Sequence, residues 1–129
     1  MARQALPAAR RRQKPRRNEP SFDLRPLLHR LSGADLSQLH GLGPYNALRL
    51  ISEIGTDMSR FPSAGHLASW AGMCPGNNES AGKRKSGRTR KGSPWLRRAL
   101  IEAAHGAAHT KHKYFQALYR RLAARRGTQ

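Results

Sequence analysis

The sequence is poor in cysteine and in long apolar runs. Its single cysteine, Cys74, excludes an internal disulfide and a multi-cysteine zinc site. Cys74 lies in the apolar stretch WAGMCPG, which is typical of a small buried hydrophobe rather than a nucleophile. No run reaches the length of a membrane span, and the N-terminus lacks the apolar core of a secretory signal. These absences predict a cytoplasmic protein with no membrane partner.

Acidic residues are also scarce. Asp and Glu number 7 against 25 Lys and Arg, which leaves a formal net charge of +18. Such an excess opposes compaction by self-repulsion, and a polyanion relieves it. The bases are clustered, which favours a nucleic-acid partner and a nucleoid-associated location over a merely soluble basic surface. A membrane surface is less favoured, because no basic helix with a wide apolar face stands alone.

The chain divides into a short basic segment and one domain. Residues 1–20, the N-terminal arm, combine arginines with three prolines and bury too little apolar surface to order, so we predict a disordered basic arm. Vestigial sequence ahead of the real domain is an alternative interpretation. Residues 21–127 are long enough for one modest core.

Start and stop signals of helices occur throughout residues 21–127, and no strand is predicted. We expect an all-α fold, in which a small helical domain carries a helix-hairpin-helix, a long basic loop and a long C-terminal helix starting at Ser93-Pro94. The apolar pattern of that helix wavers near Thr110 and then resumes. The other predicted start and stop signals are Asp23, Gly33, Asp35, Pro44, Gly55, Ser63 and Gly72.

The stretch LHGLGPYNA, residues 39–47, has the form of a helix-hairpin-helix. Gly41 and Gly43 permit a tight hairpin, Leu42 can tuck between the two helices, and Ala47 lets them pack closely. Such a hairpin presents backbone N–H groups to a DNA phosphate and grips it without reading sequence. An ordinary glycine-rich corner is the alternative interpretation.

The basic loop, residues 73–92, is the second candidate site. A solvated tether is one interpretation, but its charge favours contact with phosphates. Ser80 stands at its entry, and a serine becomes a nucleophile only with help from a base or a positive environment. On spacing alone Ser80 is ordinary loop chemistry. The candidate nucleic-acid-binding cations are Lys83, Arg84, Lys85, Arg88, Arg90, Lys91 and, in the helix that follows, Arg97.

Several of these marks occur together in one known family. Residues 21–127 resemble the C-terminal half of the Piv-invertase-related, DEDD-type, bridge-RNA-guided insertion-sequence transposases. The resemblance lies in the Gly-Leu-Gly hairpin and in the stretches SEIGTDMSRFPSAGHLASWAGMCPG and RKGSPWLRRAL. The resemblance implies a helical domain whose serine attacks DNA and forms a covalent link. That serine follows a Gly-x-x-Pro turn, here residues 72–75, and its match is Ser80, with Ser86 as the fallback.

The resemblance also implies a half that this chain lacks. The family's RNase H-like domain holds a divalent metal on four acidic residues, and the seven acids here have the settings of caps and surface positions. We therefore expect no cofactor in this chain, and a truncated or separately encoded piece that acts in strand cleavage and rejoining. Implied partners are DNA, a guide RNA, further copies of the chain and an RNase H-like half. The alternatives are a non-catalytic helix-hairpin-helix nucleic-acid-binding protein and a basic ribosome-associated protein.

Three histidines give a last candidate. His105, His109 and His112 have the spacing of one helix face, and three histidines can bind zinc. Because Lys111 and Lys113 would oppose a cation and no carboxylate is near, contact with phosphate is favoured over metal.

Overall fold

The computed structural model describes residues 5–6, 8, 17–76, 78–111 and 113–127. It confirms the all-α class, with one small two-stranded sheet added. Of the predicted N-terminal arm, residues 1–4, 7 and 9–16 lie outside the described residues. The elements are α1 Arg25–Ser32, α2 Pro44–Ile54, α3 Ala64–Trp70, β1 Asn78–Ser80, β2 Lys83–Ser86, α4 Pro94–Ala108 and α5 Tyr114–Arg126, with 3-10 turns at Leu36–Gln38 and Met58–Arg60.

The predicted helix ends are confirmed at several positions. The Ser93 hydroxyl accepts a hydrogen bond from the Leu96 amide at 3.2 Å and caps α4, with Pro94 in its first turn. Ser63 caps α3 in the same way. Gly33 ends α1 with a φ of +74°, a left-handed angle that glycine adopts without steric strain. Local chemistry therefore sets these boundaries.

The core lies between α2 and α4. Ala47 of α2 and Ala99 of α4 are almost completely buried, and such small side chains let the two helices approach closely. The Asn46 amide donates to the Ala99 carbonyl at 3.5 Å, and Arg49 forms a 2.7 Å ion pair with Glu102 at the surface. The buried apolar side chains packed together are Leu24, Leu28, Leu42, Ala47, Leu50, Ala71, Leu96 and Ala99.

A buried ion pair joins α1 to the first 3-10 turn. Arg25 contacts Asp35 at 2.6 Å, and both side chains are almost fully buried. The Ser37 hydroxyl and the Gln38 amide also donate to Asp35. Burial raises the pKa of this carboxyl, but the hydrogen bonds from Arg25, Ser37 and Gln38 outweigh it, so the pKa of Asp35 lies well below its ordinary value. Asp35 is therefore ionised and structural.

The prediction of one long C-terminal helix is wrong, because α4 ends at Ala108 and α5 begins at Tyr114. At this break the Thr110 hydroxyl donates to the Gly106 carbonyl at 3.0 Å, and the His109 ring lies 2.7 Å from the His105 carbonyl oxygen. Side chains of Thr110 and His109 thus contact backbone carbonyls in the last turn of α4, where the helix ends. Of the three candidate histidines, His105 lies within α4, His109 is its C-cap, and His112 lies outside the described residues.

Candidate nucleic-acid interface

The basic loop has a defined path, and the expectation that it contains no strand is wrong. Its two legs run antiparallel, because the Gly76 amide donates to the Arg88 carbonyl at 3.0 Å and β1 pairs with β2. Ser80 pairs with Lys83 across the turn at Ala81-Gly82. Both turn residues have positive φ, +51° and +72°, as a two-residue type I′ turn requires. The loop is therefore a β-hairpin with Ser80 beside its tip.

Two glycines close the base of this hairpin. A Cβ on Gly72 would lie 2.7 Å from the Gly92 nitrogen, and a Cβ on Gly92 would lie 2.5 Å from the Ala71 carbonyl carbon. Gly72 also has a φ of +70°. The backbones can cross this closely only where neither residue has a side chain. Gly92 therefore serves the folding of the hairpin base, a role that its sequence context did not indicate.

Arg97 lies beneath the hairpin base. Its guanidinium donates to the Thr89 hydroxyl at 3.2 Å and to the Gly72 carbonyl at 3.5 Å, and the residue is half-buried. These bonds tie the first turn of α4 to both legs of the basic loop. Arg97, which the sequence suggested as a nucleic-acid contact, makes structural hydrogen bonds in this arrangement.

The remaining described cations of the loop are solvent-exposed. Because directly opposed residues of an antiparallel pair share a face, Ser80 and Lys83 lie on one side of the hairpin. Lys85 has no partner on β1, because the register shifts between Asn78 and Glu79, so strand alternation does not assign it to that side. Of Arg84 only the backbone is described. The exposed cations are Lys83, Lys85, Arg88, Arg90 and Lys91.

The two candidate serines differ in their surroundings. The Ser86 hydroxyl accepts a hydrogen bond from the Arg88 amide at 3.2 Å and is half-buried, so it stabilises the hairpin leg. Ser80 is exposed, and its hydroxyl makes no hydrogen bond to any residue that the structure describes. Ser80 is thus the more available hydroxyl, although no described side chain accepts a hydrogen bond from it.

The Gly-Leu-Gly corner is only partly as predicted. Leu42 is buried, as expected, but a three-residue 3-10 turn precedes the corner in place of the first helix. Gly41 has a φ of +83°, and a Cβ there would overlap the Ala103 carbonyl oxygen and the Ala107 amide nitrogen of α4. The corner therefore packs against α4 through Gly41.

Gly43 departs from its prediction. Its φ of −79° is open to any residue, and a Cβ there would have no heavy atom within 4 Å. The backbone angle of Gly43 therefore does not require glycine for the tight hairpin, in contrast to the prediction made for both glycines. Gly43 is exposed and is the N-cap of α2. Gly41 alone carries the conformational requirement of the corner.

Several acidic residues have structural partners. Glu53 accepts a hydrogen bond from the Ser93 hydroxyl at 3.0 Å, and Asp57 caps the second 3-10 turn. The hydrogen bonds that Asp57 accepts from Ser59 lower the pKa of this carboxyl. No three His, Cys, Asp or Glu side chains in the described part of the chain come together as metal ligands.

Trp95 is a surface feature that the sequence pattern did not indicate. It is 62% exposed in the first turn of α4, and the Arg98 guanidinium lies over its ring at 5.9 Å from the centroid. Its position next to Leu96, outside the apolar stripe of α4, was the available signal.

None of the described helices is both long and apolar enough to cross a membrane.

Comparison with known proteins adds one match. The model of a family described as Transposase IS116/IS110/IS902 family matches residues 33–120, more than half of the chain. The match includes the Gly-Leu-Gly corner, the whole basic loop, all of α4 and the first part of α5. No curated protein and no solved structure matches the chain.

Proposed function

The chain belongs to the IS116/IS110/IS902 transposase family, and we propose that it is the DNA-binding, serine-bearing part of an insertion-sequence transposase. The family match carries this proposal, because it spans both the corner and the basic loop. The charge of +18 supports a polyanionic partner. In this proposal the Gly41–Gly43 corner and the basic loop contact DNA phosphates without reading the base sequence.

Ser80 is the proposed nucleophile. Its hydroxyl oxygen forms a bond to a DNA phosphorus while the bond from that phosphorus to one deoxyribose oxygen breaks, which leaves a sugar hydroxyl and a phosphoserine link. Attack by a sugar hydroxyl on that link rejoins a strand and restores the serine. Lys83 lies on the same side of the hairpin as Ser80, where positive charge stabilises the negative oxygens of a pentacovalent phosphate.

A second half completes the reaction in this proposal. Since no described side chain accepts a hydrogen bond from Ser80, an RNase H-like half supplies the proton acceptor. That half also holds any divalent metal, because the described residues of this chain contain no cluster of metal ligands. A guide RNA and a second copy of the chain are further proposed partners.

The binding part is tested by salt dependence. Each phosphate neutralised on duplex DNA contributes a slope of about −0.9 to log K against log salt. We expect tight, salt-sensitive binding, and a shallower slope for Lys83→Gln/Lys85→Gln, which removes two exposed cations. Fluorescence anisotropy with labelled duplex DNA measures both slopes. An affinity that stays flat between low and moderate salt contradicts the proposal.

The chemical part is tested by covalent capture. Supplied with an RNase H-like half, a guide RNA and labelled DNA, the chain should form an adduct that survives a denaturing gel. Ser80→Ala should abolish the adduct and leave DNA binding nearly unchanged, because one neutral hydroxyl adds little beside many charges. Ser86→Ala is the matched control and should retain the adduct.

The same gel separates the alternatives. An adduct that survives Ser80→Ala and disappears with Ser86→Ala assigns the nucleophile to Ser86. An adduct that survives both substitutions removes the serine mechanism from this loop. A non-catalytic nucleic-acid-binding protein then becomes the better account, and the absence of a described hydrogen-bonding partner for Ser80 is the observation that favours it.

A further inference from the structure

Trp95 is held outward by the way in which α4 begins. Ser93 caps the helix, Pro94 occupies its first position, and the next residue after Trp95, Leu96, is fully buried. Proline restricts the backbone at this point, and the buried leucine fixes the rotation of the helix. The Trp95 side chain is therefore presented to solvent by a rigid turn.

The sequence around Trp95 is cationic, and the carboxylate described near it is that of Glu53, which accepts a hydrogen bond from Ser93 at 3.0 Å. Between Glu79 and Glu102 all the charged residues are Lys or Arg. Arg98 lies over the tryptophan ring, and Arg90 and Lys91 at the end of the basic loop are exposed. An exposed apolar side chain alone is ordinary on protein surfaces. An aromatic ring with a guanidinium over its face, beside a loop rich in cations, is the combination that single-stranded nucleic-acid sites use.

We propose that Trp95 stacks on an unpaired base of single-stranded nucleic acid whose phosphates lie on the basic loop. This inference rests on the proposed DNA-binding function and adds to it the class of ligand. In a duplex both faces of a base are covered by its neighbours, so a tryptophan ring can stack only on a base that has left the helix. Cleavage and rejoining of strands generate such bases.

Fluorescence can isolate this residue, because the chain has two tryptophans. The Trp70→Phe variant leaves Trp95 as the one tryptophan whose emission is measured. Phenylalanine at position 70 can keep an aromatic contact with Phe61, whose ring centre lies 5.5 Å from that of Trp70. We expect an oligothymidylate of about twelve nucleotides to quench Trp95 emission. Blunt duplex DNA should quench it little, and inorganic polyphosphate, which has charge and no bases, should not quench it. An oligouridylate of the same length tests whether RNA is an equal source of the base.

Affinity measurements give the second readout in the full-length chain. Trp95→Ala should weaken binding of the oligothymidylate by a factor of roughly five to one hundred, the usual effect of losing one stacked base. Trp95→Phe should retain most of the affinity, because a smaller ring still stacks. Duplex affinity should change less than about twofold, since the phosphate contacts remain. Circular dichroism confirms that each variant is folded.

The outcomes distinguish this inference from the function on which it rests. If the parent binds neither duplex nor single strands, the proposed function fails. If the parent binds both and Trp95→Ala leaves single-strand affinity unchanged, stacking alone is refuted. Quenching by polyphosphate as strong as that by the oligothymidylate also overturns it. So does a blue shift of Trp95 emission on anionic lipid vesicles when oligonucleotides have no effect, because the ring then faces lipid.

Discussion

Gly41→Ala tests how the Gly-Leu-Gly corner is held on the domain. Gly41 has a φ of +83°, and its missing side chain leaves room for the backbone of α4. A methyl group there would overlap the Ala103 carbonyl oxygen and the Ala107 amide nitrogen. Both are backbone atoms of a helix, so neither can move away as a flexible side chain would. The corner itself must shift.

Two effects set the magnitude. A left-handed backbone angle disfavours alanine by about 1–2 kcal/mol. Forcing an extra carbon into a packed contact adds about 1–3 kcal/mol. Together they predict a loss of about 2–5 kcal/mol in the free energy of unfolding, which is a large share of the roughly 5–15 kcal/mol available to a domain.

Urea unfolding followed by circular dichroism measures this loss, and Gly43→Ala is its control. Gly43 has a φ of −79° and open space at its Cβ, so its substitution should change stability by less than about 1 kcal/mol. Gly106→Ala gives a third comparison. Alanine normally stabilises a helix by about 1 kcal/mol over glycine, but a Cβ on Gly106 would lie 3.0 Å from the Gly41 Cα, and we expect no gain. Equal losses for Gly41→Ala and Gly43→Ala would refute the reasoning.

Asp35, Ala81 and Arg97 support three more predictions. Asp35→Asn should lower stability by about 3 kcal/mol at pH 7, because it leaves the Arg25 guanidinium buried without its counter-charge. The pKa of Asp35 is depressed in the fold, so this contribution is fully present above the ordinary value of 3.8, begins to decline below it and is lost only as the pH falls through the lower pKa of the folded protein. Urea titrations at pH 7 and pH 3 measure the first part of this decline. Ala81→Asn should relieve the strain of a φ of +51° and slow amide exchange at Lys83 by roughly a factor of five, about 1 kcal/mol. Arg97→Met should remove the bonds at the hairpin base and speed tryptic cleavage of the basic loop, whereas Arg98→Met should not.

Each of these has a clear contrary result. If parent and Asp35→Asn lose stability equally between pH 7 and pH 3, the ion pair does not govern the acid response. Faster exchange at Lys83 in Ala81→Asn would argue against the type I′ turn. Equal cleavage rates for the Arg97 and Arg98 variants would show that Arg97 does not anchor the loop.

Several elements could be predicted because their causes are local. Ser93 with Pro94, Ser63 and Gly33 mark helix ends through hydrogen bonds and backbone angles within a few residues, and the structure confirms them. The family relationship was also readable, since the corner, the Gly-x-x-Pro turn and the basic loop occur in order. Its serine-nucleophile and bridge-RNA features stay predictions.

The β-hairpin could not be predicted from its own residues. β2 reads Lys-Arg-Lys-Ser, which has no apolar alternation and weak strand propensity. What supports the pairing is closure of the hairpin base, where Gly72 meets Gly92 and Arg97 bonds to Thr89. The break between α4 and α5 was visible only as a weak pattern near Thr110.

The sequence by itself determined the helical class, several helix ends, the charge and the family, because each depends on composition or on neighbours in the chain. Only the tertiary structure decided which of two neighbouring residues of the same type has a structural role. Gly41 and Gly43 look equivalent in sequence, yet only Gly41 meets the backbone of α4. Arg97 bonds to Thr89 under the loop, while the guanidinium of its neighbour Arg98 lies over the Trp95 ring at the surface. Such differences arise from contacts between residues that are far apart in the chain, and the residues next to each position do not determine these contacts.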